Sequence, residues 1–377
     1  MNNNTINILT TDDSRHGLSI EFECQINEKK YRIFFRCKEA VLTENIESFL
    51  ASAILPCMKT GGGNLVVDGE VSRTFLTSLS TIQDIYCLWD ESLRRVTIKN
   101  AKAIQRSPST KKRVGVFFSG GVDSFYTFLK HQNEITDLIF VHGLDIKLTD
   151  TSLLEKASNK ICAVASAFGV NIIEVETNLR ELLDSYVDWG FLGHGATLAA
   201  IGHLFYPEFH RIYIAATHTY ADLFPWGSHP VLDHLWSSEV LEFVHDGCEA
   251  TRVKKVTLIS KYDIALQALR VCWKNPNSAY NCGRCEKCLR TMINLKVNDA
   301  LDRCTTFDAE LDLKRVSKID IKDDNTRSFV RENLKQLEKR QDNEELRKAL
   351  QTALNRQHWP RKIKASVKHL AKRLISG

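Results

Sequence analysis

Val114-Gly-Val-Phe-Phe-Ser-Gly-Gly-Val-Asp-Ser-Phe-Tyr-Thr-Phe-Leu129 changes its periodicity halfway along. Val114 to Phe118 is a short, apolar, β-prone run, the pattern of a parallel strand buried on both faces. Ser119, Gly120 and Gly121 break it. From there Val122, Phe125, Tyr126 and Leu129 fall at i, i+3, i+4 and i+7, which predicts a helix. A small-residue loop between such a strand and helix collects backbone N–H groups at the positive end of the helix, where an anion is held. Gly120 and Gly121 admit phosphate oxygens close to the backbone, the Val122 amide continues the row, and Ser119 and Ser124 add hydroxyl donors. Asp123 alone repels a phosphate, so its presence predicts a divalent cation bridging to that phosphate. An ordinary Gly-rich βα turn needs neither the two serines nor the aspartate.

Beyond this stretch the chain continues to alternate. Asp137–His142, Val170–Val175 and Arg211–Ala216 read as strands, and Leu153–Phe168, Leu179–Tyr186 and Gly195–Phe205 as helices, with Gly169 as a stop signal. This is the pattern of an α/β fold, a parallel sheet with helices on both faces. Ligands of such sheets bind beyond the carboxyl ends of the strands. That places Ser119–Ser124, His142 and His218 together. The irregular, aromatic-rich segment Thr219–Ser238 follows, with His229 and Asp233 as candidate substrate contacts; loops of this length are usually functional or disordered, and the aromatic content argues against disorder. The alternative is a surface loop packed on its own aromatics. Thr257–Val271 has helical spacing.

Residues 1–105 form a segment of their own, read as a small α+β domain. Leu18–Cys24 and Tyr31–Cys37 predict a hairpin, and Ile46–Met58 a helix. Leu65–Val67, Tyr86–Trp89 and Arg95–Lys99 predict further short strands. Gln105–Lys112 reads as a linker. Residues 112–300 are expected to form the domain that carries the phosphate loop, and 301–377 a helical extension. Helices are expected from the Asp323–Thr326 cap cluster through Lys339, and from Asn343 to Gln357. Ile363, Val367, Leu370, Ala371 and Leu374 make the apolar stripe of a final basic helix. It suits docking on the body, or a protein partner, nucleic acid or anionic surface.

At 377 residues the chain has room for two or three domains of roughly 100–200 residues each. Met1–Asp13 carries no Lys or Arg and no apolar run, unlike a signal peptide. No apolar run approaches the ~18 residues of a membrane span. Eleven cysteines, an odd number, point to a reducing cytoplasm with free thiols or metal ligands. The formal charge of +5 sits in the tail: Arg356–Gly377 holds seven Lys and Arg and no acid, so the body is near neutral.

The second chemical signal is Cys272-Trp-Lys-Asn-Pro-Asn-Ser-Ala-Tyr-Asn-Cys282-Gly-Arg-Cys285-Glu-Lys-Cys288. Three thiols share one tight knuckle and Cys272 supplies a fourth. Four sulfurs suit a closed, tetrahedral zinc site, whose negative charge Arg284, Lys287 and Arg290 offset. An iron–sulfur cluster and a redox or persulfide cysteine are the alternatives.

The Ser119–Ser124 run resembles the SGGxDS loop of the PP-loop ATP pyrophosphatases, which cleave ATP between the α and β phosphates and adenylate a substrate. Together with the Cys-x9-Cys-x2-Cys-x2-Cys pattern and the Leu289-Arg290 pair behind it, residues 112–295 resemble the 7-cyano-7-deazaguanine synthase family of queuosine biosynthesis. The resemblance implies a Rossmann-like, adenine nucleotide alpha hydrolase-like sheet. It implies ATP, Mg²⁺ and Zn²⁺ as cofactors, with zinc on Cys272, Cys282, Cys285 and Cys288. Nucleotide contacts fall on Ser119, Gly120, Gly121, Val122, Asp123, Ser124 and His142, with Ser119, Asp123 and Ser124 at the chemistry. The expected reaction joins a small-molecule or protein carboxylate to ammonia or an amine, as an amide or nitrile, in a cytoplasmic homo-oligomer. The roughly 105 residues before the loop strand and 80 after the knuckle set this chain apart from the simple type. They look like the extended, synthase-like proteins of bacterial defence and specialised biosynthesis. The substrate-contacting segment does not map residue by residue, so His218, His229 and Asp233 rest on position alone. Two other readings are a PP-loop sulfurtransferase acting on RNA, using Cys162 or Cys248, and a non-enzymatic ATP-binding adaptor.

Overall fold

The computed structural model describes residues 3–9, 18–107, 110, 112–308, 310–321, 324–340 and 343–356. Ten strands make one sheet: β1 (Asn3–Leu9), β2 (Ser19–Ile26), β3 (Lys29–Cys37), β4 (Gly63–Ser72), β5 (Val96–Ile104), β6 (Arg113–Phe117), β7 (Asp137–His142), β8 (Asn171–Thr177), β9 (Phe209–Ala215) and β10 (Glu242–Asp246). Their order is β10-β9-β6-β7-β8-β3-β2-β1-β4-β5. β1 with β2, β2 with β3, and β3 with β8 are antiparallel; the other neighbours are parallel.

The helices are α1 (Ile46–Lys59), α2 (Arg73–Trp89), α3 (Val122–Lys130), α4 (Thr151–Phe168), α5 (Leu179–Asp184), α6 (His194–His203), α7 (Arg252–Ile259), α8 (Asp263–Ala268), α9 (Glu286–Val297), α10 (Leu313–Val316), α11 (Asp324–Arg340) and α12 (Glu344–Asn355). None is long and apolar enough to cross a membrane. The β6 and β7 side chains alternate between two cores. Val114, Val116, Leu138 and Phe140 pack with α3, α4 and α8, while Phe117, Ile139 and Val141 join the core of α1 and α6. Burial on both faces is why these strands read as unbroken apolar runs. A third core joins Val253 of α7 and Ile293 and Val297 of α9 to Val330, Leu337 and Leu350 of the C-terminal helices.

The first hundred residues continue the same sheet. β3 pairs with β8 through Phe35 and Thr177, Thr43 donates its amide to Leu204 O at 2.8 Å, and Phe49 and Leu50 of α1 share the core of Ala199 and Ala200 of α6. The boundary expected near residue 105 thus breaks neither sheet nor core. Tyr86–Trp89, expected as a strand, is the last turn of α2; its aromatics favour strands, but Tyr86 is a buried position of an amphipathic helix. The single helix expected over Thr257–Val271 is two short ones, interrupted between Ile259 and Asp263. β10, with only five residues and three of them charged or His, was not legible as a strand. Asp323 and the basic stripe from Ile363 to Leu374 lie outside the described residues.

Candidate nucleotide and metal site

The strand order sets the place. β6 is followed by β7 on one side, while β9 returns to its other side. The crevice beyond the carboxyl ends of β6 and β9 is therefore the switch point at which open α/β sheets bind ligands. Ser119–Ser124 leaves β6 at this point, and Ala216–His218 leaves β9.

Gly120 takes φ +73°, a left-handed turn that favours glycine. Gly121 caps α3 without a side-chain hydrogen bond. The Ser124 hydroxyl donates to Gly121 O at 3.1 Å, and the Phe125 amide to the same oxygen at 3.0 Å. Among the described residues no acceptor meets the amides of Val122, Asp123 and Ser124. These are the helix-start donors that an anion satisfies.

Asp123 is 22% exposed, and both of its oxygens are paired. Lys255 Nζ reaches one of its oxygens at 2.9 Å and Arg252 the other at 3.2 Å. Lys255 is almost completely buried and also donates to Ala216 O at 2.6 Å. Burial works to raise the Asp123 carboxyl, but Lys255 and Arg252 outweigh it and hold it below the usual carboxylate range. Sequence reasoning missed both cations. They come from α7, some 130 residues downstream, and carry no motif.

The other sequence candidates fall into different settings. His142 bonds Glu174 at 2.6 Å, and the other oxygen of Glu174 takes the Ser158 hydroxyl; none of these contacts is with the loop. His218 lies against Phe224 and Trp226, with ring centroids 4.4 and 5.5 Å away. Its Nε2 is buried without a partner. Burial lowers its pKa, against the pull of Asp123 and Asp222, so the ring is neutral at pH 7. Asp233 is fully buried: its Oδ2 accepts from Ser228 Oγ at 2.6 Å and pairs with His245 Nδ1 at 2.7 Å, and its Oδ1 accepts from the His229 amide at 3.1 Å. Burial disfavours charge on His245, yet Asp233 and Cys248 raise its pKa to about 9. His229 is buried too, its Nδ1 accepting from Val231 N at 3.2 Å. This group staples the Thr219–Ser238 segment to β10.

The four knuckle thiols converge. All their sulfurs lie within 4.8 Å of one another. Cys272 to Cys285, and Cys282 to Cys288, are each 3.9 Å apart. A tetrahedron with ~2.3 Å zinc–sulfur bonds has edges of about 3.8 Å, so the residues fit a single ion such as zinc. Burial opposes ionisation of Cys282, but the amides of Arg284 and Cys285 bring it down to about 7, which suits a thiolate ligand. Asn281, which no sequence motif singles out, clamps the knuckle. Its Oδ1 accepts from Val271 N at 2.8 Å and Cys272 N at 3.1 Å, and its Nδ2 donates to Leu269 O at 2.8 Å. Comparison with family models, curated proteins and solved structures gave no match to this chain.

Proposed function

We propose that the protein is an ATP-dependent ligase of the PP-loop type, similar to 7-cyano-7-deazaguanine synthase, on a Rossmann-like sheet. It adenylates a carboxylate and passes the acyl group to ammonia or an amine. The observation that carries this reading is the row of unpartnered amides at Val122–Ser124, set beside Lys255 and Arg252 at the switch point.

In this reading the triphosphate lies along the loop amides. The substrate carboxylate attacks the α-phosphorus, the new P–O bond forms, and the α–β bridge breaks with its electron pair leaving on pyrophosphate. Amides and cations fixed beforehand stabilise the leaving charge without reorganising. Asp123 keeps Lys255 and Arg252 at the crevice; with both its oxygens so engaged, these two cations supply the countercharge expected of Mg²⁺. The amine then attacks the acyl-adenylate carbonyl and AMP departs. His218, neutral and with an unpartnered ring nitrogen on the segment leaving β9, is the hydrogen-bonding partner of the acyl substrate in this reading. Zinc, when bound to the four thiolates, supplies a closed structural centre, and Cys272, Cys282, Cys285 and Cys288 hold it.

Burial of Cys248, and the raised pKa of Cys162 to which burial contributes most, favour the ligase over a persulfide-carrying sulfurtransferase. Incubation with ATP and 7-carboxy-7-deazaguanine, followed by mass spectrometry, tests the reading. Pyrophosphate release that depends on the acid supports it; no release with any carboxylate overturns it.

A further inference from the structure

Residues 268–272 form a strap between the phosphate loop and the cysteine knuckle. On the knuckle side, Leu269, Val271 and Cys272 are tied to the Asn281 amide, and Tyr280 Oη donates to Ala268 O at 2.8 Å. On the loop side stands Arg270. Its amide donates to Gly120 O at 2.8 Å, and its Nε to Ser119 O at 3.3 Å. The side chain is buried, with Asp145 3.6 Å from its guanidinium.

These two bonds aim the loop. In a trans peptide the C=O and the following N–H point in opposite directions. Turning the Ser119 and Gly120 carbonyls toward the strap turns the Gly120 and Gly121 amides away from it, to the side on which a phosphate sits. The strap ends in Cys272, and its clamp, Asn281, is the chain neighbour of Cys282. The strap is thus held at one end by a member of the thiolate cluster and along its length by the residue next to another.

We infer that Arg270 is a positioning residue of the phosphate loop and that the four-cysteine knuckle sets it, so that metal occupancy and nucleotide binding are coupled. The inference rests on reading Ser119–Ser124 as the nucleotide site. By linkage, each ligand tightens the other by the same factor.

The test uses the full-length, metal-loaded protein and an α,β-methylene ATP analogue, which is not turned over. Zinc affinity is measured by chelator competition with and without the analogue, and analogue binding by calorimetry, in wild type, Arg270→Ala and Arg270→Lys. The expected result is an analogue-induced tightening of zinc by about fivefold in wild type. Arg270→Ala loses it and Arg270→Lys restores part of it. Analogue binding with unchanged zinc affinity in wild type overturns the coupling and leaves the nucleotide reading standing. Absence of analogue binding overturns both. An Arg270→Ala protein that retains wild-type coupling overturns the role of Arg270. The wild-type comparison needs no variant, so it decides the coupling even where a variant fails to fold.

Discussion

Asp123 and Asp233 sit beyond the carboxyl side of the same sheet, the first in the opening turn of α3 and the second in the irregular Thr219–Ser238 segment, each paired to cations or an imidazole. Their surroundings differ in one respect. Around Asp233 the donors converge on the carboxylate: Ser228, the His229 amide and His245 all end on it, and nothing there is exposed. Around Asp123 the pairing is equally strong, but the neighbouring helix amides have no acceptor and the carboxylate is partly open. A carboxylate met by several buried donors is a staple; a pre-oriented set of donors left without a partner is what an anion site requires.

Substitution separates the two. Asp233→Asn leaves the His245 imidazolium buried without its counterion, and should cost roughly 3–5 kcal/mol of stability, read by denaturant unfolding. The folded fraction should bind ATP normally. Lost nucleotide binding with unchanged stability would make Asp233 a ligand contact and erase the contrast. Asp123→Asn should do the opposite. It keeps a polar partner for Lys255 and Arg252, so the fold survives, but pyrophosphate release should fall by roughly 100-fold or more. Retained turnover would move the chemistry away from this loop.

Proton linkage gives a smaller effect. His245 titrates near pH 9 when folded and near 6.5 when unfolded. Its charged pair with Asp233 therefore contributes fully below about pH 6.5, and that contribution is lost as pH rises through about 9. The fall should be on the order of 1–3 kcal/mol across that window, and His245→Gln should flatten it. The smallest effect belongs to His218. Replacing it by Phe removes a buried, unpartnered nitrogen, so stability should stay within about 1 kcal/mol of wild type. The KM for the acyl substrate should rise while ATP affinity holds. An unchanged KM would leave His218 a packing residue of the aromatic loop.

What the sequence reveals follows the range of the interactions. The β6–loop–α3 unit is local, and its change of period at Phe118 is visible in sixteen residues. The knuckle is legible because metal ligands demand fixed spacing. The strand candidates of the first hundred residues are partly legible, but their union with β8 depends on the Phe35–Thr177 pairing, which no local pattern announces. The cations that complete the loop, Lys255 and Arg252, sit on a helix with an ordinary amphipathic pattern. Arg270 and Asn281 bind backbone atoms of their partners, and such partners leave no trace in residue identity. Asp233 shows the converse limit: a carboxylate and a histidine in a long aromatic loop look like substrate contacts until burial and full pairing are seen.

The most direct test of the account is a crystal structure with the α,β-methylene ATP analogue. The account predicts phosphate oxygens within hydrogen-bonding distance of the Gly121–Ser124 amides, with Lys255 or Arg252 at the β or γ phosphate. An analogue bound elsewhere, with those amides open to solvent, would contradict it.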